Sequence, residues 1–133
     1  MIEVAAGLVF RNGLMLITQR KASDHLGGYW EFPGGKRDLN ETYEQCLSRE
    51  LREELDIEVR IVDRLTTVDY LYPEKKVHLE FFRCLWQSGL PKALQCQDLA
   101  WIKPSELSQY SFPPADAQIL HLLINEDGVW LNP

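Results

Sequence analysis

The chain has 133 residues, 45% of them hydrophobic, which is the size of one compact domain with a single core and leaves no room for a second. A formal net charge of -6 disfavours DNA or RNA polymers as partners, because polyanion binding rests on clustered Lys and Arg. No apolar run approaches the roughly 18 residues that span a bilayer, and the opening MIEVAAGLVF is not a basic region followed by a cleavable apolar stretch, so the expectation is a cytoplasmic protein with no membrane partner.

Residues 4–10 and 14–19 are apolar, strand-like runs separated by Arg11-Asn12-Gly13, and Asn-Gly between such runs is a strong hairpin signal. They are expected to pair antiparallel. Tyr29-Trp30-Glu31-Phe32 reads as a short strand, ended by the breakers Pro33-Gly34-Gly35. Asn40 or Thr42 can then cap a helix running to about Leu55, with Leu47, Leu51 and Leu55 forming a core stripe at every fourth residue. Two long β-rich stretches follow, about 58–71 and 76–87, joined by a turn at Tyr72-Pro73-Glu74-Lys75. Residues 98–102 form a further strand, and Ala115 to Ile124 carries a helix pattern opened by Pro113-Pro114. The long elements run β, β, α, β, β, β, α, an α+β pattern with a mixed or antiparallel sheet covered by helices. Cys46, Cys84 and Cys96 are odd in number with no C-x-x-C pair, so reduced, structural thiols are expected.

The first helix carries the chemistry. Glu50, Glu53 and Glu54 fall at i, i+3 and i+4 and share one face. Like charges so placed repel by roughly a few tenths of a kcal/mol per pair, which a divalent cation would offset. Carboxylate oxygens with room for water suit Mg²⁺, with Mn²⁺ as the alternative, and such ions commonly hold substrate phosphates. An isolated E-x-x-E-E is more often a solvated acidic face, but here the surrounding spacing is G-x5-E-x7-R-E-U-x-E-E-x-D-U, with U aliphatic: Gly35, Glu41, Arg49, Glu50, Leu51, Glu53, Glu54, Asp56 and Ile57.

This run resembles the Nudix box, with Asp56 standing where the box has Gly, at a helix end that takes a left-handed residue. Asp tolerates that conformation better than most residues, so the departure is expected to affect capping and not chemistry. The resemblance extends over nearly the whole chain and implies a Nudix α/β/α sandwich with a mixed β-sheet and two main helices, as a single domain over 1–133. Outside the box the chain looks like the MutT group, which hydrolyses oxidised guanine nucleotides, and its relatives the CTP pyrophosphohydrolases. The implied activity is hydrolysis of a nucleoside triphosphate to monophosphate and pyrophosphate, with a small-molecule nucleotide as the partner and a monomer or homodimer as the assembly.

By that resemblance, Glu50, Glu53 and Glu54 with the Gly34 carbonyl hold the metal, Arg49 orients the carboxylates, and Glu41 assists from the loop. Arg20 at the end of its strand would hold a phosphate, with Lys36 and, more weakly, Lys75 as counter-charges. Phe32, within Trp30-Glu31-Phe32-Pro33-Gly34-Gly35-Lys36, would lie against the base. The segment Phe112-Pro113-Pro114-Ala115-Asp116 resembles F-P-P-A-N of the oxoguanine enzymes, but with Asp116 for Asn, the form carried by the CTP-hydrolysing relatives. An ionised Asp only accepts hydrogen bonds, which suits the cytosine amino group; protonated, it could also meet oxidised guanine. The family's loop glutamate before the strand ending in Trp101 has no counterpart in 93–101. Either Asp98 is the general base or a box glutamate, Glu53 foremost, takes the proton. Each of these residues also has an ordinary structural use: Arg20 and the lysines as solvated charges, Phe32 as core, Asp98 as a turn residue and Asp116 as a helix-start residue.

Overall fold

The structure, a computed structural model, describes residues 1–132. Its strands are β1 (Ile2–Arg11), β2 (Leu14–Gln19), β3 (Trp30–Glu31), β4 (Gly34–Lys36), β5 (Glu58–Tyr72), β6 (Lys75–Ser88) and β7 (Asp98–Ile102), and its helices are α1 (Tyr43–Leu55) and α2 (Ala117–Asn125). One seven-stranded sheet holds them in the order β3-β2-β1-β6-β5, with β4 pairing β1 and β7 pairing β2. β1 and β6 run parallel, and every other pairing is antiparallel, so the sheet is mixed.

Strand alternation separates the core into two layers. Ala6, Leu8 and Phe10 of β1 and Phe81 of β6 face α2, whose Ile119 and Leu123 are buried among them. Ala5 and Val9 of β1 and Phe82 and Cys84 of β6 face the opposite way, onto Cys46, Leu47, Leu51 and Leu55 of α1. The result is the α/β/α sandwich expected, with one helix on each face of the sheet.

Both hairpins form as read. At the first turn Asn12 and Gly13 both take positive φ, which Asn and Gly tolerate best. At the second, Tyr72 pairs with Lys75 across Pro73-Glu74. Thr42 and not Asn40 caps α1: its hydroxyl accepts from the Gln45 amide while the Gln45 side chain accepts from the Thr42 amide, a reciprocal capping box. Asp56 ends the helix in the left-handed region, at φ 58°, and its N–H returns to the Arg52 carbonyl.

Two expectations need correction. Pro33-Gly34-Gly35 does not only interrupt the chain, because Gly34–Lys36 is itself a strand opposite Val4–Ala6. A Cβ on Gly34 would collide with the Ala5 carbonyl, so the glycine that reads as a breaker is what admits this close pairing. The second helix begins at Ala117 and not Ala115, since Pro114–Asp116 forms a separate 3₁₀ turn.

Candidate active site

A cavity of about 460 Å³ opens between the N-terminal half of β1, the start of β6, the β3–β4 segment and one edge of α1. Its acidic wall is Glu50 and Glu54, beside Gly34 and Gly35. Gly35 passes so close to the helix that a Cβ there would strike the Glu50 carboxyl, so this glycine gives Glu50 its place. Glu54 is pushed up to about 8, first by burial and then by the neighbouring Glu50 charge. Two carboxyls crowded in this way are a donor set suited to a hard divalent ion.

Arg49 wires this wall together. Its Nε and Nη2 donate to the two oxygens of Glu41 at 3.0 and 2.7 Å, and Nη1 donates to Glu50 at 2.9 Å and to Glu53 at 3.2 Å. The fifth contact, from Nη2 to the Lys36 carbonyl at 3.2 Å, ties the helix to the end of β4. Glu41 is held down at about 2 by the Arg49 guanidinium and the Asp38 amide, so it is ionised at any ordinary pH. Arg49 and Glu53 do not line the cavity. Glu53, with 53% of its side chain exposed, turns out from the rim toward Arg49. Among the described residues no three carboxylate, thiol or imidazole groups converge as a ready-made metal site.

The opposite wall is apolar, with Val4, Ala6, Phe32, Leu79 and Phe81 facing the space. Phe32 is buried, stacked on Phe112 at 5.0 Å and edge-on to Phe81 at 6.0 Å, so it is both core and cavity wall. Asp116 closes this end and is only 6% exposed. Its carboxyl is pushed up to about 7 by burial and then by the charge of Glu31, and among the described residues no side-chain hydrogen bond counters either. A buried carboxyl without a protein partner, aimed into a cavity, is a group prepared for a ligand.

Cations line the mouth. Lys36 and Lys75 border the cavity, as does Arg20. Arg20 is engaged already: Nη1 donates to Glu31 at 2.9 Å and Nε to the His25 carbonyl at 2.7 Å. Those bonds hold the β2–β3 loop against the cavity wall, where His25 meets Tyr72 and Glu74 of the β5–β6 turn.

Of the residues singled out in the sequence, the structure thus gathers Arg20, Phe32, Gly34, Lys36, Glu50, Glu54, Lys75 and Asp116 about one space. Asp98 lies outside it. As the first residue of β7, opposite Gln19, it caps its own strand by accepting from the Leu99 amide at 2.8 Å. The 93–101 segment does reach the cavity, through Gln95, a residue that a search for acids passes over. Glu31 also lines the cavity, beside Phe32, and nothing in the Trp30–Phe32 segment distinguishes it as a site residue in the sequence. Burial raises its carboxyl while Arg20 partly offsets the effect.

Comparison with known proteins bears on the same site. A family model described as NUDIX domain matches residues 5–122. The chain is 38% identical over 120 residues to a CTP pyrophosphohydrolase of Escherichia coli, covering 90% of this chain and 89% of that protein. It is 37% identical over 127 residues to an 8-oxo-dGTP diphosphatase of Haemophilus influenzae, covering 94% and 93%. Among solved structures, the E. coli ORF135 protein superposes with a TM-score of 0.77 at 36% identity, over 91% of this chain and 86% of that one.

Proposed function

The chain belongs to the Nudix family, and from that premise we propose that it is a Mg²⁺-dependent nucleoside triphosphate pyrophosphohydrolase of the MutT kind, acting on oxidised nucleotides such as 8-oxo-dGTP and releasing monophosphate and pyrophosphate. It is a hydrolase of phosphoric anhydride bonds. The observation that carries the substrate assignment is the polarity of one cavity, with paired glutamates at one end, lysines at the mouth and an apolar slot holding the buried Asp116 at the other end. A polyphosphate fits the first end and a flat base the second.

Glu50 and Glu54, with the Gly34 carbonyl and with Glu53 at the rim, would hold the cation. Bound Mg²⁺, or Mn²⁺ in its place, would neutralise phosphate charge and make a water easier to deprotonate. The chain's own contribution is orientation. Arg49 fixes Glu50 and Glu53 relative to the Glu41 loop, so that the carboxylates meet the phosphates without reorganising. Lys36 and Lys75 attract the polyphosphate, while Arg20 joins them to the extent that it can be shared with Glu31. We assign removal of the proton from water to the box glutamates, because Asp98 stands outside the cavity.

A CTP or dCTP substrate is the second reading, favoured by Asp116, since a carboxyl can accept from the cytosine amino group. We read 1–133 as one domain. Among the described residues no helix is long and apolar enough to cross a membrane. The test is a kinetic panel of nucleoside triphosphates with Mg²⁺ and product analysis: preferential release of pyrophosphate from 8-oxo-dGTP is expected. Turnover of no triphosphate would overturn the reading, and a preference for CTP would replace the base assignment.

A further inference from the structure

The loop that carries Glu41 to the Arg49 guanidinium runs from the end of β4 to the start of α1, over residues 37–42. Its middle is open to solvent, with Leu39 92% exposed and Asn40 exposed beside it. Its two ends are held by one carboxylate. Glu3 Oε1 accepts from Arg37 Nη2 at 2.7 Å, and Glu3 Oε2 accepts from the Tyr43 hydroxyl at 2.8 Å. The Arg37 amide also donates to the Glu3 carbonyl at 2.8 Å. Arg37 passes this hold on: its Nη1 donates to the Glu41 carbonyl at 2.9 Å, and its guanidinium lies over the Tyr43 ring, 5.0 Å from the centroid. Arg37 Nε is buried and has no partner among the described residues, so the guanidinium sits where its Nη groups meet Glu3 and Glu41 and not where every donor is satisfied.

Strand alternation lets Glu3 do this from outside the cavity. Ile2 and Val4 of β1 line the space, and Glu3 between them faces the other side of the sheet, where α1 lies. Its carboxyl is held below the usual carboxylate range by the Tyr43 hydroxyl and then by Arg37, so it carries its charge throughout the neutral range. We propose that Glu3 is a positioning residue of the active site: by gripping Arg37 and Tyr43 it sets the β4–α1 loop, and through Glu41 it sets the Arg49 fork that aims Glu50 and Glu53. The role rests on the hydrolase reading above and adds to it a group that lies outside both the box and the cavity.

The experiment makes Glu3→Gln and Glu41→Gln singly and together. Glu3→Gln keeps the volume but loses the charge and one of the two acceptor oxygens, at a partly exposed site where the chain can still fold. It should lower kcat about tenfold with KM within about twofold, the lower end of what a partner behind metal-holding groups contributes. Mn²⁺ binding without nucleotide, followed by electron paramagnetic resonance, should weaken about threefold. In the Glu41→Gln background the same change should move neither kcat nor Mn²⁺ affinity by more than about twofold, because the path runs through Glu41. An ion pair that only stabilises the fold would lower the melting temperature and leave kcat and Mn²⁺ affinity alone in either background. Wild-type kcat in Glu3→Gln, wild-type Mn²⁺ affinity, or an equal loss in both backgrounds would overturn the role while leaving the hydrolase reading intact. A wild type that turns over no triphosphate would overturn the hydrolase reading, and the Mn²⁺ measurement would still decide whether Glu3 sets the acidic wall.

Discussion

The two ends of the cavity are built on opposite plans. At the acidic wall one guanidinium ties the carboxylates together: Arg49 reaches Glu41, Glu50 and Glu53, and Glu54 stands beside them. At the apolar end a single carboxyl, Asp116, is more deeply buried than any of those and has no donor among the described residues. The first plan gives a catalytic surface its shape before substrate arrives. The second leaves an unsatisfied group whose cost a base can relieve, which makes binding there depend on the base edge presented.

If the acidic wall is where transition-state charge is met, the largest effect in the molecule should come from Glu54→Gln. The change keeps volume and removes a cavity-facing carboxylate, and the loss of kcat should be on the order of 100-fold or more, as for deletion of a main electrostatic stabiliser. Thermal stability should hold or rise, because Gln ends both the burial of an ionisable group and its crowding with Glu50, which together push Glu54 up. A variant with wild-type turnover and Mg²⁺ dependence would erase the contrast between the two walls.

Asp116→Asn addresses the other wall. Exchange of an acceptor for a mixed donor and acceptor should shift kcat/KM between bases by about 1–3 kcal/mol, raising 8-oxo-dGTP relative to CTP. Stability supplies an independent reading. The folded-state carboxyl is raised to about 7, so the unfolded chain ionises first as pH rises, and the native state loses stability from the ordinary Asp range up through about 7. Asn removes that loss. The variant should therefore match wild type in melting temperature near pH 4 and exceed it at pH 8; equal melting at both would show that Asp116 is not buried unpaired. A uniform change across all triphosphates would return Asp116 to a helix-start role.

The wired wall also has an anchor behind it. Arg37 Nη2 donates to Glu3 at 2.7 Å and Nη1 to the Glu41 carbonyl at 2.9 Å, while the Tyr43 hydroxyl donates to Glu3 at 2.8 Å. Next to them His78 lies between Glu80 at 3.0 Å and Asp69 at 2.8 Å, and those two carboxylates, Glu80 first, raise its pKa. A raised histidine stabilises the fold fully below its unfolded value and loses that contribution as pH rises through the folded one. His78→Gln should lower the melting temperature at pH 5.5 by more than at pH 8.5, on the scale of about 1 kcal/mol. The same penalty at both pH values would mean that the ring acts by packing against Tyr43 alone.

How much of this was legible beforehand follows the same division. The wired wall announces itself in sequence because helix geometry fixes the spacing of Arg49, Glu50, Glu53 and Glu54 and because Thr42 and Leu47 mark where the helix starts and which face it buries. Both hairpins and β7 were readable for similar local reasons, whereas the sandwich followed from the resemblance to the family. β4 was not, since Gly34–Lys36 is a strand only by virtue of β1 lying against it, and two glycines carry no β signal of their own. Glu53 was readable as a member of the acidic face but not as its outward edge, which depends on how α1 is rotated against the sheet. Gln95 was hidden by its neutrality, and the unpartnered state of Asp116 by the fact that burial comes from residues far away in the chain.

The smallest expected effect concerns the one position where the wired wall departs from the box. Asp56 closes α1 at φ 58°, ψ 40°, a conformation that glycine adopts without steric cost and other residues do not. Its carboxylate also meets Lys92 at 3.2 Å, but both side chains are more than half exposed, at 57% and 60%, and such a pair contributes little in water. Asp56→Gly should therefore exchange a weak surface contact for relief of a left-handed backbone, against some gain of freedom in the unfolded chain. The balance expected is about 0.5 kcal/mol of stabilisation, read as a small rise in the urea midpoint at unchanged m-value. kcat should not move, because the cap sits beyond Glu54 and touches neither wall of the cavity. A fall in kcat would show that the helix end is strained in a way that the acidic wall uses, and Asp56 would then belong with Arg49 among the residues that set the position of the glutamates.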